Sequence, residues 1–339
     1  MQKFFVPNIS NENDPIHFEC DDSFDSKTEI LKYSVQFFYL SIGAYLNAVL
    51  VFTIWFKHRN FYKQNSFFVL FSTDCLVSLI LILIDIFFYR LFIYVTPICP
   101  IVHEYFATPL VFSKFIMILI HHLKICKSLL QSLLVLNRMT SVLFPIYQNI
   151  IWMKNFQWII PLIFLIPISV DWNLVISRVY MMPTYGGLWM NYIKKVSWAS
   201  QSTFQLIFIF IALSFTIICT CITLYTLIML PNRLKDLEKS ITIVNVITST
   251  AFATVGFFHV SVYKTATYKN WFQILFSFFS FNTMVTSVFA WTMFAYDVLN
   301  VGSPIVMLCI SKLVREHVFS WSKVLKVGSS QNFPVSVTQ

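Results

Sequence analysis

Seven long apolar stretches separated by short polar breaks occupy most of this 339-residue chain. They cover residues 31–56, 66–89, 113–136, 157–176, 199–229, 241–263 and 283–310. A helix needs about 20 residues to cross about 30 Å of hydrocarbon, and each stretch reaches that length. Helices of soluble proteins show one apolar face, whereas these are apolar nearly all round. The expectation is an all-α bundle of seven transmembrane helices. Composition agrees: 57% of residues are hydrophobic and 12% charged, against about 25% charged in an average soluble domain. A head of residues 1–30, a bundle of residues 31–310 and a tail of residues 311–339 account for the whole length. No connecting segment is long enough to form a domain of its own.

Charge predicts the orientation. The formal net charge is +9, but the basic residues are dispersed among the loops and form no nucleic-acid patch. Twelve Lys and Arg lie in segments 57–65, 137–156, 231–240 and 311–339, and nine in segments 1–32, 90–112, 177–197 and 264–282. The bias is mild. The rule that positive loops stay inside then puts the tail in the cytoplasm and the head outside. Seven of the fifteen acidic residues fall in the head, as does the sequon Asn8-Ile9-Ser10, which makes Asn8 a candidate glycan acceptor. Residues 1–7 show no cleavable signal, so the first span is expected to act as the anchor. The apolar region 271–310 is too long for one crossing. It reads as an interfacial segment, 271–282, followed by a final span that Pro304 kinks at its inner end.

The seven cysteines fit no metal-binding spacing, and neither metal nor cofactor is expected. Only Cys20 and Cys99 fall in outer segments, where an oxidising exterior permits a bridge. Free thiols are the alternative, because sequence does not fix connectivity.

The third span breaks the apolar rule with Lys114, His121, His122, Lys124, Lys127, Ser128, Gln131 and Ser132. At about 100° per residue, Lys114, His121, Lys124, Ser128, Gln131 and Ser132 share an arc of about 100°. A lysine at the bilayer centre costs about 2.5–3.5 kcal/mol, so this stripe belongs in the bundle interior. The second span offers Asp74 and Asp85, eleven residues apart, on one face and about 16 Å apart along the axis. Counting depth along antiparallel spans sets Asp85 near Lys114 and His121, and Asp74 near Lys124 or Lys127. With Asp171 and Asp297 in the fourth and seventh spans, an interior ionic network is expected to link spans two, three and seven. It pairs charges structurally, or its outer members Lys114, His121 and Asp85 bind a polar ligand group, or it forms an ion or proton pathway. His259 and Tyr263, with Trp172 and Trp198, would rim a cavity or anchor at the interface. No set of residues has catalytic spacing, and an enzyme is not expected.

The third span runs into Leu136-Asn137-Arg138-Met139-Thr140-Ser141-Val142-Leu143-Phe144-Pro145. An arginine there resembles the one with which rhodopsin-like receptors hold their inactive state. The segment is still more similar to the nematode serpentine receptors of class gamma. The likeness continues in Ile176-Ser177-Arg178-Val179-Tyr180, Gly186-Gly187, Tyr192-Ile193-Lys194-Lys195, Phe204-Gln205-Leu206-Ile207-Phe208, Leu230-Pro231, Glu238-Lys239-Ser240, Tyr296-Asp297 and Ser303-Pro304. It spans residues 31–315. The resemblance implies a G-protein-coupled chemosensory receptor at the plasma membrane, with a small-molecule ligand, a heterotrimeric G protein as partner and Arg138 in coupling. Asn137 replaces the acid that usually precedes that arginine, and Gly43 with Asn47 only loosely echoes the usual pair in the first span. A seven-helix channel or transporter with a polar interior pathway is the alternative. The tail segment 311–325 reads as a short amphipathic helix on the inner leaflet.

Overall fold

The computed structural model describes residues 14–20, 24–184, 186–229, 246–247, 249–250, 253–254 and 281–319. Among them, six helices are long and apolar enough to cross a membrane: Ser26–Lys57, Ser66–Tyr94, Val111–Leu143, Gln148–Ile176, Gln201–Thr226 and Met293–Ile310. The stretch expected as the sixth span, together with His259 and Tyr263, lies almost wholly outside the described residues. So do Asn8, segment 271–280 and the chain beyond residue 319.

The third span is the hub. Its 33-residue helix Val111–Leu143 contains no Pro or Gly and packs against the second, fourth and fifth spans. At about 1.5 Å per residue it is about 50 Å long, so it projects beyond the hydrocarbon at both ends. It therefore starts two residues earlier and ends seven later than the apolar stretch predicts. Pro145 follows it, and proline cannot continue a helix. The fourth span starts at Gln148, nine residues early, and breaks at Pro167 into Gln148–Leu165 and Ile168–Ile176.

The first span begins at Ser26, inside the segment assigned to the head, because Asp25 caps it by accepting from the Lys27 amide and the Thr28 hydroxyl. It lies against the second and seventh spans. Its approach to the seventh depends on Gly43, where a Cβ would meet Val301 Cγ2 at 2.5 Å. One turn on, Asn47 Nδ2 donates to Gly43 O and, across the interface, to Asn300 O at 3.1 Å. The second span, capped by Asn65, runs as α-helix through Ser66–Ile84. It then widens into a π-helical turn at Asp85–Arg90 and ends at Tyr94.

One end of the bundle is covered by an antiparallel hairpin of β1 (Arg178–Thr184) and β2 (Gly187–Ile193). Residues 177–197 read as a loop by composition; the local signal for a hairpin is Gly186-Gly187 between two β-prone runs. Gly186 takes φ of 76°, the left-handed region that favours glycine. A Cβ on Gly187 would sit 2.1 Å from Ile93 O and 2.4 Å from Phe92 O, so the tip of the hairpin presses on the backbone that ends the second span. Met181, Leu188 and Met190 are buried beneath it. No cysteine holds this hairpin. The head reaches it instead: Arg178 Nη2 donates to Asp14 O at 2.5 Å, while the Ile16 amide donates to Ala107 O and Cys20 is bonded to Cys99, tying the head to the helix Cys99–Ala107.

Gly187→Ala is expected to destabilise the protein by about 1–3 kcal/mol through overpacking against main chain that cannot rotate away. Gly302→Ala, whose Cβ would meet nothing closer than Val298 at 3.9 Å, should change little. Thermal unfolding of the two variants in detergent checks the contrast.

At the opposite end, the helix Lys312–Phe319 turns back with Val314 and Val318 buried. His317 stacks on His58 with ring centroids 4.1 Å apart, and its Nδ1 lies 2.7 Å from the Tyr62 hydroxyl. Burial pushes the Tyr62 hydroxyl up to about 12.

Candidate functional site

Two charged clusters lie in the bundle interior, at different depths. The one farther from the hairpin joins the second and third spans. Lys127 Nζ donates to Asp74 Oδ2 at 2.6 Å and to Ser78 Oγ at 2.5 Å. Gln131 Nε2 donates to Asp74 Oδ1 at 3.0 Å. Asp74 and Lys127 are both 0% exposed. Of the two partners expected for Asp74, the structure selects Lys127, and each carboxylate oxygen has a donor.

The cluster nearer the hairpin is built around Arg90, a residue the sequence places in a loop. The π-helical turn carries the second span one turn past its apolar stretch and brings Arg90 inward, where it is 2% exposed. Its Nε donates to Asp85 Oδ2 at 2.5 Å, Nη1 to Gln36 Oε1 at 2.9 Å and to Tyr39 Oη at 3.0 Å, and Nη2 to Asp297 Oδ1 at 2.6 Å. The Tyr39 hydroxyl donates in turn to Asp297 Oδ2. One guanidinium, whose planar fork offers five donors, thus joins the first, second and seventh spans. The depth count puts Asp85 beside Lys114 and His121. The structure instead pairs it with Arg90, which competes successfully because it lies on the same helix one turn away.

The remaining sequence candidates separate. His121 Nδ1 lies 3.3 Å from Gln205 Oε1, and Gln205 Nε2 donates to the Tyr296 hydroxyl at 3.1 Å, so this chain links spans three, five and seven. Lys114 is near the hairpin end of the third span and does not line the cavity described next. His122 Nδ1 lies 2.7 Å from Asp171 Oδ2, joining the third and fourth spans. Trp172 packs on Trp198, with ring centroids 6.1 Å apart. Lys124 makes no ion pair among the described residues. Its ammonium lies 5.0 Å from the Tyr296 ring centroid and 5.9 Å from that of Tyr89, a favourable placement over aromatic faces.

Lys124, Asp85, Tyr89, Arg90, Tyr296 and Asp297 all line a cavity of about 40 Å³ between the first, second, third and seventh spans. Trp189 of β2 packs on Tyr89, ring centroids 4.8 Å apart, so the hairpin roofs this region. A cavity of that size holds about three waters. Among the described residues, no three His, Cys, Asp or Glu side chains converge to hold a metal ion.

At the end away from the hairpin, Arg138 is 4% exposed and its guanidinium carbon lies 3.6 Å from the Phe67 ring centroid. It is held within the bundle rather than extended toward lipid headgroups. Its neighbour Asn137 donates to Ser66 Oγ at 2.8 Å, as does Gln148 Nε2. Trp152 Nε1 donates to Thr140 Oγ1 at 2.9 Å. These bonds join the second, third and fourth spans around the arginine.

The family model for Srg family chemoreceptors matches residues 33–318. Serpentine receptor class gamma-14 of Caenorhabditis elegans is 50% identical over 317 residues, covering 93% of this chain and 92% of its own. Serpentine receptor class gamma-11 of the same organism is 46% identical over 332 residues, covering 98% and 94%. Serpentine receptor class gamma-13 is 37% identical over 336 residues.

Proposed function

The chain belongs to the Srg family of chemoreceptors, a family of seven-span membrane proteins, and we propose that it detects a small molecule outside the cell and signals through a heterotrimeric G protein at the inner face of the plasma membrane. In this reading the hairpin, the Cys20–Cys99 bridge and the acidic head face outward, and the helix Lys312–Phe319 lies on the inner leaflet. The observation that carries it is the Arg90 cluster. A cationic hub that joins three spans beside a cavity, under the hairpin, is a place where a ligand gains leverage over helix packing.

The mechanism is a shift between two packings of the bundle. A ligand moves that equilibrium only by its difference in affinity for the two. A molecule that takes hydrogen bonds from the cavity wall alters the balance among Asp85, Arg90 and Asp297, and so the seating of the seventh span against the first and second. At the inner end, Arg138 and its surrounding hydrogen bonds would have to rearrange before a G protein can enter. The chemistry of the interior is pairing and hydrogen bonding, and no reaction is assigned to it.

The test is expression in a cell carrying a second-messenger reporter, challenged with small-molecule extracts. The wild-type chain should respond. Arg138→Ala should reach the surface yet lose most of the response, because it removes a group at the inner face and leaves the cavity intact. A response that persists without any G protein, or an Arg138→Ala response equal to wild type, would overturn the reading.

A further inference from the structure

Hydrogen-bonding capacity around the cavity is uneven. Arg90 uses its Nε and both terminal nitrogens. Asp297 has both oxygens occupied, Oδ1 by Arg90 and Oδ2 by Tyr39. Asp85 is occupied on Oδ2 alone; its Oδ1 accepts no hydrogen bond among the described residues, and its side chain is 29% exposed. Lys124 carries three donors and makes no hydrogen bond among the described residues; its ammonium lies over the faces of Tyr89 and Tyr296 and feels the Asp85 and Asp297 carboxylates only at longer range. Among the described residues, one cation and one carboxylate oxygen on the same cavity wall therefore have unused capacity.

Charge narrows what can use it. Among the described residues, the four charged groups of the wall, Lys124 and Arg90 against Asp85 and Asp297, sum to zero. A simple anion on Lys124, or a simple cation on Asp85, would leave one uncompensated charge in a medium of low dielectric constant, where such a charge is expensive. A molecule bearing both charges leaves the sum unchanged and satisfies both groups with charge-assisted hydrogen bonds. Size narrows it further. Space for about three waters corresponds to a ligand of only a few heavy atoms, and Trp189 of the hairpin packs on Tyr89 beside it.

We propose, building on the receptor reading, that this cavity is the recognition site and that its ligand is a compact zwitterion of the amino-acid class, with its carboxylate on the Lys124 ammonium and its own ammonium on Asp85 Oδ1. The Tyr89 and Tyr296 rings flank the ligand, with Trp189 of the hairpin packed on Tyr89. Large side chains are excluded by volume. Molecules carrying only one of the two charges are rejected by the imbalance they create.

The experiment uses the full-length protein in lipid nanodiscs with tritiated glycine and tritiated alanine as probes. Saturable binding is expected for at least one of them at millimolar concentration or below. Unlabelled alanine should compete, whereas propionate, ethylamine and phenylalanine should not. Lys124→Met and Asp85→Asn should each weaken binding about ten- to a hundredfold, the worth of one charge-assisted hydrogen bond. Lys124→Arg should retain part of it. If a variant fails to fold, competition on the wild-type protein still decides. Absence of saturable binding by both probes, or propionate or ethylamine competing as well as alanine, overturns the proposal. So does unchanged affinity in both folded variants. Binding without any reporter response would instead sink the receptor reading and leave the site standing. A reporter response to another chemical, with neither probe bound, would sink this proposal alone.

Discussion

Arg90→Met is expected to keep the protein from reaching the cell surface. The arginine is 2% exposed and is the common partner of Asp85 and Asp297, the latter itself 4% exposed. Breaking one buried pair by removing a partner costs about 3–5 kcal/mol, since the remaining charge stays buried without compensation. Here one substitution strands the buried Asp297, leaves the partly exposed Asp85 without its partner, and also removes donors from Gln36 and Tyr39. Against a typical stability of about 5–15 kcal/mol, a loss of that size takes a large share of the total. Arg90→Lys should fall between wild type and Arg90→Met: it keeps the charge but replaces a planar fork by a single point. Adding Asp297→Asn to Arg90→Met should recover part of the loss, because it removes the stranded charge. Surface labelling and thermal unfolding in detergent measure all three. An Arg90→Met protein as abundant at the surface as wild type would show that this cluster does not hold the spans together.

The second large effect concerns Lys127. Its ammonium and the Asp74 carboxylate are both wholly inaccessible, 2.6 Å apart, and closed off by Ser78 and Gln131. Lys127→Met should therefore destabilise the bundle by about 3–5 kcal/mol. The double variant Lys127→Met with Asp74→Asn should recover most of that, since a neutral amide keeps the hydrogen bond from Gln131 without a stranded charge. The double-mutant cycle measures the coupling between the two residues. Lys124→Met, three residues away on the same helix, should cost far less, because Lys124 takes part in no ion pair among the described residues. Equal losses for Lys124→Met and Lys127→Met would contradict this division of the polar stripe into one closed pair and one cation facing a cavity.

The bundle was legible because lipid imposes a simple rule on composition, and long apolar stretches obey it. The Asp74–Lys127 pair was within reach for a similar reason: antiparallel helices with a fixed rise per residue turn sequence position into depth. Arg90 was not legible. A charge at the end of an apolar run reads as the start of a loop, and only the π-helical turn at Asp85–Arg90 shows that the span continues past it. The assignment of Asp85 to Lys114 and His121 failed for the same cause, since its partner was absent from the set of interior residues. The hairpin was hidden by composition, its turn glycines being the one local signal. Gly43 and Asn47 carry more than a loose likeness to a familiar pair suggests: they set the close approach of the first and seventh spans. The Cys20–Cys99 bond was one of two readings of the outer cysteines, and spacing alone could not choose between them.

Every functional statement rests on an odd number of crossings, with the hairpin and the small cavity toward the outside. An epitope placed at each end of the full chain, probed with antibody in intact and then in permeabilised cells, tests this most directly. The account predicts that the N-terminal epitope is stained in intact cells and the C-terminal one only after permeabilisation. Staining of both ends in intact cells, of neither, or of the C-terminal end alone would contradict it.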